Sequence, residues 1–192
     1  YEYFSDLKSD DRWKLMTARM CLSHTTGLPN VRWFHPTTGV QDTLGVMKIY
    51  FTPGKKYAYS GEGIKLLQLV IEEITKKNVE ELATEKIFKP IGMTRTGYIW
   101  YEKFDDNYAT GHLADNTLNP KKKRTTPVAG ASLVTTIADY TRFIEYLMKQ
   151  KGLDKKMFKE MILPQIEILS KTQFPTITEE TTTENKAINL SY

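Results

Sequence analysis

One cysteine, three histidines and no long apolar run are what this 192-residue chain offers least of, and each scarcity excludes something. The lone thiol, Cys21, rules out an internal disulfide and leaves the compartment undecided. It falls between Met20 and Leu22 in a short helical pattern, which points to a buried structural thiol rather than a nucleophile. His24, His35 and His112 are scattered without ligand spacing, so no metal site and no cofactor are expected. No stretch is apolar for long enough to span a bilayer. The first residues, Tyr1-Glu2-Tyr3-Phe4-Ser5-Asp6, have neither a basic n-region nor an apolar h-region and read as no signal peptide. A net charge of +4 is too modest to name a partner.

What is present suits a globular piece. With 40% hydrophobic and 26% charged residues, the chain can build one core. Thr17 caps a short helix through His24, which Gly27 and Pro29 end. A long loop, Asn30 to Tyr50, holds Trp33, His35, Pro36 and Gly39 and is read as wrapping one wall of a cleft. Ile64, Leu67, Val70, Ile71 and Ile74 recur at helical spacing and predict an amphipathic helix over Gly63 to Lys77, with Ser60 as its N-cap. Asn78 and Glu81 form a capping-box pattern opening a helix through Ile87, which Pro90 and Gly92 stop. Tyr98 to Tyr108 is rich in aromatics and reads as a short strand of unassigned pairing. Thr136 and Asp139 open another helix with Tyr140, Phe143, Ile144 and Leu147 on its buried face. Asp154 caps a last helix carrying Met157, Phe158 and Met161. Lys171 to Lys186 is dominated by Thr and Glu and reads as an extended or mobile connection, and Asn189 to Tyr192 as the start of a strand.

The residue placed best for chemistry is Tyr59, in the run Pro53-Gly54-Lys55-Lys56-Tyr57-Ala58-Tyr59-Ser60-Gly61-Glu62-Gly63. A phenol at the mouth of a helix can face a cleft beside the positive end of the helix dipole, which favours a phenolate. The alternative is a packed aromatic between Tyr57 and the helix. Glu62 reads as a solvated first-turn acid, and His24 as a structural ring bonded to backbone. The basic run Lys121-Lys122-Lys123-Arg124 lies between prolines and reads as an exposed turn, so no nucleic-acid partner is expected.

Four stretches, in order, carry a family resemblance. The Tyr59-Ser60-Gly61 run resembles the Tyr-x-Asn motif of class C type serine β-lactamases and the related D-alanyl-D-alanine peptidases and esterases. Leu22-Ser23-His24-Thr25-Thr26-Gly27-Leu28-Pro29 looks like their Leu-Ser-His-Thr-Ser-Gly-Leu-Pro segment. Ile87-Phe88-Lys89-Pro90-Ile91-Gly92-Met93-Thr94 is similar to Ile-Phe-x-Pro-Leu-Gly-Met-x-x-Thr. Ala129-Gly130-Ala131-Ser132-Leu133-Val134-Thr135-Thr136-Ile137-Ala138-Asp139 resembles Ala-Gly-Gly-Leu-x-Ser-Thr-x-x-Asp. Two further family motifs are not found: a late Lys-Thr-Gly or His-x-Gly, and Ser-x-x-Lys in a setting with apolar residues behind the serine. Ser5-Asp6-Leu7-Lys8 matches the latter only in letters, ahead of the polar Ser9-Asp10-Asp11-Arg12. The chain therefore reads as an internal portion, inactive as given.

The resemblance implies a mainly α chain: the helical lobe, about 12–164, of an α/β fold whose antiparallel sheet is largely missing, followed by a connection over 165–192. It implies acyl transfer through a serine ester on a small molecule or peptide with an acyl group. Tyr59 would be the catalytic base and acid, and Ser60, Gly61, Gly130 and Ser132 would line the substrate site. Gly61 departs from the family's Asn, so the amide that would hold a β-lactam or peptide carbonyl is lost, which disfavours those substrates relative to simple esters. A bacterial, periplasmic or otherwise extracytoplasmic location and self-association through exposed lobe surface are further expectations. A non-catalytic binding or scaffold protein that kept the lobe is the other reading.

Overall fold

The computed structural model describes residues 9–35, 40–41, 44–168 and the backbone of 190–191. The chain divides into two compact units, Tyr1–Ile71 with Ile162–Tyr192, and Glu72–Met161. Among the described residues, no helix is long and apolar enough to cross a membrane.

In the first unit, a single 3-10 turn, Asp11–Leu15, leads into α1, Ala18–Leu22. The Thr17 hydroxyl accepts the Met20 N–H, so the cap forms, but the helix ends at Leu22, two residues short of the expected His24. His24 has φ 55°, a left-handed conformation that a helix interior cannot contain. Cys21 is buried, and burial pushes its thiol up to about 11, away from reactivity. The stretch 23–29 is buried throughout and runs beside 50–58. Ala58 N–H donates to the His24 carbonyl at 3.0 Å, Gly54 N–H to Thr25 at 2.7 Å, and Tyr50 N–H to Gly27 at 2.9 Å. Gly27 makes this approach possible: it has φ 77°, and a Cβ there would lie 2.4 Å from the Phe51 carbonyl oxygen. Leu28, Met47 and Ile49 form the core, with Trp13, Met16, Leu66 and Leu69 packed on it. Leu28 is fully buried and alone contributes about 2 kcal/mol of transfer free energy.

Helix α2 spans Gly61–Thr75, two residues earlier at each end than the periodicity indicates. Leu66 and Leu69 face the core, whereas Val70, Ile71 and Ile74 of the expected apolar face are exposed. The helix has two apolar stripes, and periodicity alone does not say which is covered. A two-residue pair closes this unit: β3, Glu167–Ile168, lies antiparallel to β4, Leu190–Ser191. The expected strand start therefore has a partner at Leu190–Ser191, while the connection 171–186 lies outside the described residues.

The second unit starts on the predicted capping box. Asn78 accepts the Glu81 N–H, and the Glu81 carboxylate accepts the Asn78 N–H. Helix α3, Val79–Ala83, continues through one π-helical segment, Thr84–Phe88, into α4, Lys89–Ile91. Pro90 therefore does not stop the helix. It lacks the N–H a regular turn needs, and the wider π turn accommodates it. Gly92, in the left-handed region at φ 74°, makes the stop. Ala83, Phe88 and Met93 form this unit's core with Ile87, Ile91, Tyr98 and Phe143 against it. The stretch after Tyr98 holds a 3-10 turn, Glu102–Phe104, in place of the expected strand. A hairpin follows, β1, Gly111–His112, antiparallel to β2, Leu118–Asn119.

Helix α5, Ile137–Met148, is capped by Thr136, whose hydroxyl accepts the Asp139 N–H at 3.2 Å. Asp139 is buried and Phe143 meets the core, but Tyr140 and Ile144, expected inside, are exposed. A buried acid at the helix start turns the face by one position. Helix α6, Lys155–Ile162, is capped as expected, with the Met157 N–H donating to Asp154 at 2.8 Å.

Candidate active site

Tyr59 sits two residues before α2, and His24 holds the backbone on both sides of it. The His24 carbonyl accepts the Ala58 N–H at 3.0 Å, and its ring Nδ1 accepts the Ser60 N–H at 3.1 Å. Between these two bonds the His24 ring lies 4.4 Å from the half-buried Tyr59 ring, tilted by 35°. The Tyr57 ring meets His24 edge-on at 6.1 Å. An Nδ1 that accepts a bond carries no proton, so the imidazole is neutral with its hydrogen on Nε2. Burial lowers the His24 pKa from its ordinary 6.5, which suits that state. The expected backbone bond is there, made to a residue 36 positions away.

Ser60 is fully buried, and its hydroxyl is used twice within the fold. It accepts the Gly63 N–H at 2.9 Å as the helix cap and donates to the Pro29 carbonyl at 3.0 Å. Gly61 donates its N–H to the Asn30 side-chain oxygen at 3.2 Å. A Cβ at position 61 would lie 2.7 Å from the Asn30 carbonyl oxygen and 2.9 Å from its Oδ1. Glu62 is not the solvated acid of the sequence reading. It accepts the Arg32 N–H at 3.1 Å and pairs with the Arg32 side chain at 3.5 Å, both side chains mostly buried. Tyr59, Ser60 and Gly61 are thus gathered with His24, Asn30 and Arg32 at one helix start.

Gly130 and Ser132 belong to the other unit. Gly130 lies in an exposed turn. Ser132 is buried, accepting the Val128 N–H at 2.8 Å and donating to the Tyr98 carbonyl at 2.7 Å. It also lines a cleft of about 210 Å³ with Trp100 and Lys122.

Three residues escaped the sequence reading. Asn30 was merely the start of a loop, and nothing local marks it as the neighbour of Gly61. Glu80 is buried and accepts from the Tyr101 hydroxyl at 2.6 Å, the Thr84 hydroxyl at 3.2 Å and the Tyr98 N–H. Burial, helped by that carboxylate, pushes the Tyr101 phenol up to about 12. Asp139, read only as part of a helix opening, collects the Arg95 N–H at 2.7 Å, the Thr96 hydroxyl at 2.9 Å and the Arg142 guanidinium at 2.7 Å.

Known proteins agree with the motifs. Penicillin-binding protein 4* of Bacillus subtilis is 29% identical over 127 residues, 55% of this chain and 28% of that protein. An octameric penicillin-binding protein homologue from Pyrococcus abyssi superposes with a TM-score of 0.61 at 17% identity, over 80% of this chain and 40% of that one. A D-alanine carboxypeptidase from Burkholderia cenocepacia does so with 0.60 at 20% identity, over 82% and 44%. These structures share the fold, which is β-lactamase-like, with only short antiparallel pairs among the described residues. The chain spans less than a third of the Bacillus subtilis relative and under half of both structures. The family described as Beta-lactamase matches residues 7–178, nearly the whole chain, and this protein therefore belongs to that family of serine hydrolases.

Proposed function

We propose that this chain is the helical-lobe portion of an acyl-transferring serine hydrolase, in which Tyr59 moves the proton. A free phenol, with a pKa near about 10, is a poor base at neutral pH and needs a nearby cation to favour the phenolate. A lysine and a nucleophilic serine supplied by the rest of a longer protein would complete the site, with Tyr59 taking the serine proton and passing it to the leaving group. The observation that carries this reading is the His24 hold, which fixes the Tyr59 ring at the α2 start between two backbone bonds. Such fixing is what a proton-transferring group requires.

Asn30 supports a finer point. Its side-chain oxygen is taken by Gly61, while its amide N–H groups have no partner among the described residues. This amide serves in place of the one lost at position 61, so amide and peptide carbonyls remain substrates alongside esters. The expected roles of Gly130 and Ser132 stay separate from this site: within their own unit the Ser132 hydroxyl is already committed to Val128 and Tyr98. An extracytoplasmic location and self-association through exposed helix faces belong to the same proposal.

The test is Tyr59→Phe in the full-length protein, labelled with fluorescent penicillin or a fluorophosphonate, with the adduct located by mass spectrometry. Acylation is expected to slow by a factor of about 10² to 10⁴. Undiminished labelling overturns the role of Tyr59. No labelling of the intact wild type favours the binding or scaffold alternative.

A further inference from the structure

Apart from Ser132, the cleft of the Glu72–Met161 unit has a lining that the hydrolase reading does not use. Lys121, Lys122 and Arg124 line it, and no acidic residue does. Its other walls are Ile99, Trp100, Ala131, Ser132, Leu133 and Val134. A run of cations in solvent repels itself and spreads, yet this one is drawn onto a single indole. The Trp100 backbone N–H donates to the Arg124 carbonyl at 2.7 Å, and the Lys121 and Lys123 ammonium groups lie 5.4 Å and 5.8 Å from the Trp100 ring. Asp105 clips the arrangement, pairing with Lys123 at 2.8 Å and accepting the Trp100 indole N–H at 2.6 Å. Lys123 is thereby neutralised, whereas the Lys121, Lys122 and Arg124 side chains have no ion pair among the described residues. The fold has gathered three uncompensated cations beside an apolar wall.

We propose that this cleft binds a small organic carboxylate, its charge held by Lys122 and Arg124 and its apolar body laid against Ile99 and Leu133. A guanidinium donates two parallel bonds to a carboxylate, and ammonium groups add point charge. The volume, about 210 Å³, falls below that of drug-sized sites and suits a fragment carrying one ring or a short chain. The site stands independently of any role for Tyr59, which lies in the other unit.

Benzoate tests it on the whole chain, with the Trp100 indole N–H resonance as the readout and benzamide as the neutral analogue. Benzoate is expected to shift that resonance saturably, more weakly at high salt, while benzamide leaves it in place. Lys122→Gln with Arg124→Gln, both at exposed positions, weakens benzoate by roughly tenfold or more, as losing a charge-assisted bond requires. Lys14→Gln, which removes a charge from the other unit, leaves the affinity unchanged. Equal shifts by benzamide, or unchanged affinity in the double variant, overturn the proposal. Displacement of benzoate by lower concentrations of inorganic phosphate overturns the assignment to a carboxylate with an apolar body.

Discussion

Around the start of α2 the polar groups are mostly neutral: beside the one Arg32–Glu62 ion pair, the His24 ring, the Thr26 and Ser60 hydroxyls and the Asn30 amide answer backbone groups. The Glu72–Met161 unit instead sinks two carboxylates, Glu80 and Asp139, each collecting three donors, one from its own helix and two from one other stretch of chain. Neutral pairs are cheap to bury and fix a short stretch tightly. A carboxylate costs more to desolvate but can tie several strands of chain to one point. The first pattern suits a place where one ring must be aimed. The second suits a unit with a small apolar core and many exposed helix faces.

The contrast can be broken most severely at Asp139. Asp139→Ala leaves the Arg95 N–H and the Thr96 hydroxyl without their acceptor and Arg142 without its partner, and should destabilise by about 3–5 kcal/mol. Urea unfolding measures it, and amide exchange at Arg95 should rise with it. An Asn replacement, which keeps one acceptor, is expected to recover part of the loss.

A smaller loss is expected from restoring the family residue at position 61. Gly61→Asn forces a Cβ within 2.7 Å of the Asn30 backbone oxygen, and a backbone atom cannot swing aside as a side chain can. Overpacking of this kind costs about 1–3 kcal/mol, readable as a lower thermal midpoint. If the proposed role of Asn30 holds, the substitution in the full-length protein should also fail to raise turnover of penicillins, because it displaces the Asn30 side chain. Faster turnover with an unchanged midpoint would assign the amide role to position 61 alone.

The cluster around His24 should be acid-sensitive. Burial holds the His24 pKa below 6.5, so as pH falls the unfolded chain binds a proton there before the folded one does. Its contribution is therefore complete above about pH 6.5 and is lost as pH drops from there toward the lowered folded value. His24→Asn tolerates the left-handed backbone and keeps an acceptor but does not titrate, so its urea midpoint should vary less over that range. An identical acid dependence in both proteins would place the sensitivity elsewhere. At the bottom of the scale, Lys77→Gln removes an exposed pair with Glu85 and should leave the unfolding midpoint unmoved.

Much of the local structure was legible in advance because its causes lie within a few residues. The Thr17, Asn78, Thr136 and Asp154 caps each need only a side chain and an amide two or three positions on, and all four form. The family membership was legible for a similar reason, since its motifs are short runs in a fixed order. The facing of helices was less legible. Tyr140 and Ile144 have the spacing of buried residues and are exposed, while Asp139 one position away is buried. Hydrophobic period reports a stripe, not which neighbour covers it. Pro90 misled in a different way, because a π turn absorbs a residue that a regular helix rejects.

By itself, the sequence determined where helices begin, which glycine ends α4, that Cys21 is an inert thiol, and that Tyr59 stands at a helix mouth. Each is set by neighbours along the chain. Tertiary structure alone decided that His24 grips both sides of Tyr59, that Asn30 fills the space above Gly61, and that Glu80 reaches Tyr101. Those contacts join positions 21 to 36 residues apart, and no local pattern encodes them. They exist because buried N–H and O–H groups must find acceptors, and which acceptor is near depends on how the whole unit closes.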